Sequence, residues 1–165
     1  MGLDACVYCD CVEKGRLKVP PPHAESLYIE PDGSPELNSD DIALGIEFDV
    51  WRNSNPCCHE QLCLLHYRLG NMSGIDRIRR IVQHISAQPE QDFFLLWTRV
   101  IYSSIHAGDF LTAEEAVSLG AELQRLRSVD VGPYAGKYGD YFGQFLAMLE
   151  ELVEVSRLVG KPISF

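Results

Sequence analysis

The pair Asn55-Pro56 divides the chain more sharply than any other feature. Asparagine suits a helix N-cap and proline suits the first helical position, so a helix is expected to begin here and to run to Gly70-Asn71. Before the pair, apolar residues alternate with polar ones; after it, they recur at helical spacing.

Upstream, residues 3–12 place Leu3, Ala5, Val7, Cys9 and Cys11 on one face of a strand, with Asp4, Cys6, Tyr8, Asp10 and Val12 on the other. Glu13-Lys14-Gly15 reads as a turn, and Pro20-Pro21-Pro22 excludes regular structure. Residues 26–30 are expected as a second strand and residues 35–41 as a loop. In residues 42–51, Ile46, Phe48 and Val50 alternate with Glu47, Asp49 and Trp51, so a third strand is expected there.

Downstream, Ser73 is expected to cap a helix with Ile75, Ile78, Ile81, Val82 and Ile85 on one apolar stripe. Residues 90–107 are apolar nearly all round and end at Gly108, as a buried central helix would. Thr112 and Glu115 form a capping box for a helix reaching Arg127, with Leu111 placed as a hydrophobic staple. After a Gly- and Tyr-rich linker, a last helix is expected over 139–159, stopped by Gly160. The expected fold is a single α+β domain over residues 1–165. A small N-terminal antiparallel sheet of two to three strands (1–54) is followed by about five helices (55–165) sharing one core.

No run of about 18 apolar residues exists, so no membrane span is expected. The opening residues lack the basic and apolar segments of a secretory leader, which makes the chain cytoplasmic by expectation. In a reducing compartment the six cysteines are read as thiols or metal ligands rather than disulfides. Net charge is −10, made of −7 in residues 1–71 (12 acids, 5 bases) and −3 in residues 72–165 (12 acids, 9 bases). Such a chain repels nucleic-acid and membrane phosphates and attracts a basic protein partner.

On a helix from Pro56, His59, Cys63 and His66 share one face, and Cys57 and Cys58 occupy the first turn. With a ligand from Cys9 or Cys11, the set Cys9, Cys11, Cys58, His59, Cys63 and His66 is a candidate zinc site. Burial without any cofactor is the reading preferred here, because Cys9-x-Cys11 and Cys58-His59 depart from the usual Cys-x₂₋₄-Cys knuckles. A zinc- or thiol-dependent enzyme centred on Cys58, His59, Cys63 and His66 is the alternative function. His59-Glu60 does not continue as His-Glu-x-x-His, and no phosphate loop, calcium loop or dinucleotide fingerprint is present.

For a partner-binding surface the candidates are Asp40, Asp41, Glu47 and Asp49, with Tyr134, Tyr138 and Tyr141 as aromatic anchors. The paired acids Glu114-Glu115 and Glu150-Glu151 read as a helix N-terminus and a solvated face.

The segments MGLDACVYCDC, Lys14-Gly15, Trp51, Cys57-Cys58-His59-Glu60 and Leu64–Asn71 resemble small, functionally unassigned bacterial proteins that begin Met-Gly-Leu-Asp. In size, charge and architecture the chain is more loosely similar to the acidic immunity proteins of polymorphic toxin systems. That second likeness implies a non-enzymatic protein that neutralises a bacterial toxin by direct binding, and it assigns no residues.

Overall fold

The computed structural model describes residues 2–102 and 109–165. The chain is α+β, as expected, but its sheet is assembled differently. β1 (Gly2–Tyr8) pairs with β4 (Cys63–Asn71) on one side and β6 (Ile163–Ser164) on the other. β5 (Phe110–Leu111) completes the antiparallel order β4-β1-β6-β5. Four strands, rather than two or three, therefore come from both ends of the chain and its middle. A separate ribbon pairs β2 (Leu27–Ile29) with β3 (Pro35–Leu37), so part of the expected 35–41 loop is a strand.

Residues 55–70 do not form the expected helix. Asn55 adopts a left-handed φ of 55°, a 3₁₀ turn covers Glu60–Leu62, and β4 follows. The Asn55 side chain accepts from the Gln61 amide at 3.2 Å, folding a loop instead of capping a helix. In β4 the order Leu65-His66-Tyr67-Arg68-Leu69 points His66 and Arg68 to solvent, while Leu69 is buried. That alternation, completed by the ladder to β1, outweighs the Asn-Pro start signal.

The expected third strand is instead α1 (Ile42–Asn53), with the Asp41 carboxylate accepting from the Ala43 amide at 2.8 Å. Phe48 and Trp51, at i and i+3, form its buried side. The alternation of Ile46 and Val50 with charged residues reflects two solvent-facing aliphatics, a pattern that mimics a strand.

α2 (Met72–Ile85) buries Ile75, Ile78, Ile81 and Val82 as expected, but Asn71 rather than Ser73 caps it, accepting from the Gly74 amide at 2.8 Å. The expected helix over 90–107 is broken into α3 (Pro89–Asp92) and a π-helical segment, Leu96–Ile101; its end, residues 103–108, lies outside the described residues. The buried Glu122 carboxylate accepts from the Leu95 and Leu96 amides at 3.0 and 2.9 Å, which supports a second start where a continuous helix would need none. α4 (Ala113–Arg127) has the expected Thr112/Glu115 capping box. After α5 (Gly132–Ala135), α6 (Gly139–Val159) spans the expected residues and ends at Gly160, whose φ of 68° suits the left-handed cap.

The main core joins Leu3, Ala5 and Val7 of β1 to the inner faces of α2, α4 and α6. A second, smaller core contains Cys9, Cys11, Phe48, Trp51, Cys57 and Leu62. Among the described residues no helix is long and apolar enough to cross a membrane.

Candidate metal centre

β1 ends at Tyr8, so Cys9 and Cys11 leave the strand and enter a tight turn. The Arg16 amide donates to the Cys11 carbonyl at 2.8 Å, and the Asp10 carboxylate pairs with Lys14 and Arg16, closing that turn. Three backbone bonds fix it against the 56–62 loop: Cys9 N–H to Leu62 O at 2.7 Å, and the Lys18 and Val19 N–H groups to Pro56 O at 2.7 and 3.3 Å. The ligand-bearing stretches 9–11 and 57–59 are thus held together on both sides. Gln61 (φ 48°) and buried Leu62 (φ 62°) take left-handed conformations there. A bulky residue keeps such a φ only where its surroundings over-determine it.

These constraints bring Cys9, Cys11, Cys57 and His59 together, with their ligand atoms all within 4.8 Å of one another. Cys9 Sγ lies 3.8 Å from Cys57 Sγ, and His59 Nδ1 lies 3.5 Å from Cys11 Sγ and 3.7 Å from Cys57 Sγ. Tetrahedral zinc with ordinary bond lengths sets ligand–ligand edges of about 3.8 Å for sulfur–sulfur and about 3.6 Å for sulfur–nitrogen. The residues fit zinc in kind and number, and these three separations match the edges of its tetrahedron. The His59 amide donates to Cys57 Sγ at 3.3 Å, a bond that orients the sulfur. Burial raises the Cys9 and Cys11 thiols, so an adjacent dication is what would make them thiolates.

Three members of the expected set, Cys9, Cys11 and His59, are brought together; Cys57 replaces Cys58 as the fourth. Cys58 is exposed, with Sγ 3.6 Å from His59 Nδ1, but stands outside the four. Cys63 and His66 lie on β4, opposite Tyr8 and Cys6 of β1, because the shared helical face does not exist. They line a cavity of about 400 Å³ with His59, Glu60 and Leu65. The Cys63 thiol donates to the Gln61 carbonyl at 3.5 Å rather than to the four-residue cluster. The sequence signal for the right set is a repeated i, i+2 pair, Cys9-x-Cys11 and Cys57-x-His59, with 48 positions between corresponding members.

The expected partner-binding residues fall into two groups. Asp40, Asp41, Glu47 and Asp49 are exposed on or beside α1. Glu47 pairs with His23 at 3.2 Å and Asp49 with Arg52 at 3.0 Å. The tyrosines lie against α2: Tyr134 near His84, Tyr138 under the Arg77 guanidinium, and Tyr141 with its hydroxyl 3.4 Å from Leu69 O. Gly70 and Gly74 leave the space that the Tyr141 hydroxyl fills.

Comparison with family models, curated proteins and solved structures finds no match for this chain.

Proposed function

We propose that this chain is a non-enzymatic, acidic protein-binding module whose second core is fastened by a structural zinc ion on Cys9, Cys11, Cys57 and His59. The observation that carries the reading is the closed ligand set. Catalytic zinc keeps a position for water or substrate, whereas three cysteines and a histidine fill the tetrahedron. Zinc so held has no free position for Lewis-acid chemistry, and its contribution is folding energy. Binding is supported by the surface: a net charge of −10 with Asp40, Asp41, Glu47 and Asp49 exposed favours a partner with a basic face. A cytoplasmic location, where thiols stay reduced, suits such a centre. The narrower form is a bacterial immunity protein that occludes a toxin.

Cobalt substitution tests the structural role. Azide should leave the absorption spectrum of the cobalt protein unchanged, because no coordination position is open. A spectral change on adding azide favours the alternative, a metal enzyme using the cavity beside His59. The immunity reading predicts that a toxin domain encoded next to this chain forms a 1:1 complex and loses activity; a toxin fully active in excess protein removes it.

A further inference from the structure

α1 carries apolar residues on two opposite sides, and the fold covers one of them. Phe48 and Trp51 are buried, stacked with ring centroids 5.2 Å apart, and belong to the same core as Cys9, Cys11 and Cys57. On the other side Ile42, Ile46 and Val50 are 80%, 60% and 67% exposed. Their i, i+4, i+8 spacing puts them in one line of about 12 Å along the helix. Single exposed aliphatics are ordinary, but an aligned triplet of β-branched residues is a patch.

Acid surrounds this line. At 100° per residue, Asp49 and Glu47 fall on its two flanks, and Asp40 and Asp41 stand at its N-terminal end. Arg52, the basic residue of α1, is held by Glu36 at 3.1 Å and Asp49 at 3.0 Å. A second copy of this chain would set carboxylate against carboxylate across the patch, so self-association is opposed. An apolar surface bordered by lysines and arginines is the complement.

Building on the protein-binding reading, we propose that α1 is the docking element: Ile42, Ile46 and Val50 seat in an apolar groove of a partner protein whose basic rim faces Asp40, Asp41, Glu47 and Asp49. Cys9, Cys11 and Cys57 share a core with Phe48 and Trp51 of this helix, so a zinc ion held there would fix the platform from which the ridge projects.

The probe is a labelled amphipathic helical peptide of leucine and lysine, with a leucine–glutamate peptide as control, followed by anisotropy on the full zinc-loaded chain. The Leu/Lys peptide should bind and the Leu/Glu peptide should not. Ile46→Asp with Val50→Asp should weaken binding at least tenfold although it adds negative charge. Leu158→Asp, at another exposed aliphatic on α6, should leave binding unchanged. Circular dichroism verifies that each variant folds. Undiminished binding by the double variant, equal binding of both peptides, or a homodimer dissolved by the double variant overturns the proposal. A photocrosslinking residue in the producing cell separates its failure from that of the broader reading. A protein adduct from position 134 but none from 46 removes α1 as the docking element and keeps the binding module. Absence of adducts at both positions removes the module as well.

Discussion

Removing the metal should loosen the second core and leave the main sheet standing. Cys9 to Cys57 spans 48 positions, and closing a loop of that length contributes about 4 kcal/mol in the chain-entropy treatment of cross-links. Mass action gives a similar figure, since a ligand at a thousand times its Kd stabilises the folded form by about 4 kcal/mol. For a chain of this size that corresponds to a fall in Tm of about 8–16 °C. Trp51 is the local reporter: its indole N–H donates to the Val19 carbonyl at 3.0 Å, and its ring stacks on Phe48. In a Trp97→Phe background, which leaves Trp51 as the sole tryptophan, chelation should red-shift emission and lower Tm together. Zinc loss verified by elemental analysis, with Tm moved by less than about 2 °C and Trp51 emission unchanged, would mean that no metal cross-link holds the second core.

Other consequences are local. With zinc bound, brief alkylation should label Cys58 and Cys63, the exposed and half-exposed thiols, and spare Cys9, Cys11 and Cys57 until a chelator is added; mass spectrometry of the modified peptides reads this out. Cys58→Ser should retain the metal while Cys57→Ser loses it, in contrast to the pattern a helix starting at Pro56 would give. Glu122→Ala strands two buried amides and should lower stability by about 2–5 kcal/mol in urea unfolding, with Glu122→Gln recovering part of the loss. Burial raises the Tyr141 phenol above its ordinary value of 10.0, so the folded chain holds that proton more tightly than the unfolded one. Its contribution is complete below pH 10 and fades as pH rises through the folded value, so Tyr141→Phe should flatten the alkaline arm of the stability profile.

The parts of the fold legible in the sequence are those specified by neighbours in the chain. The capping box at Thr112 and the glycine stop at Gly160 define α4 and α6 because both signals act within one helical turn. β4 and α1 depart from the expected helix and strand for complementary reasons. Asn55-Pro56 is a sound local start signal, but it loses to a strand ladder supplied by residues 2–8. The alternation of Ile46, Phe48 and Val50 is real, yet Phe48 alone of the three is buried, because the second core takes the face shared with Trp51. The metal centre was half legible. Cys9, Cys11 and His59 stood out by residue type, whereas Cys57 could be chosen over Cys58 only once the 9–19 turn was seen pinned to the 56–62 loop. Contacts across that distance in sequence leave no local periodicity.

In the proposed centre, three sulfurs and one imidazole nitrogen would hold a single zinc ion. X-ray absorption at the zinc edge, on protein purified without chelator or metal-affinity resin, tests it most directly. The expected result is one zinc per chain, with three sulfurs at about 2.3 Å and one nitrogen at about 2.0–2.1 Å. Metal-free protein, or zinc surrounded by nitrogen and oxygen alone, would contradict it.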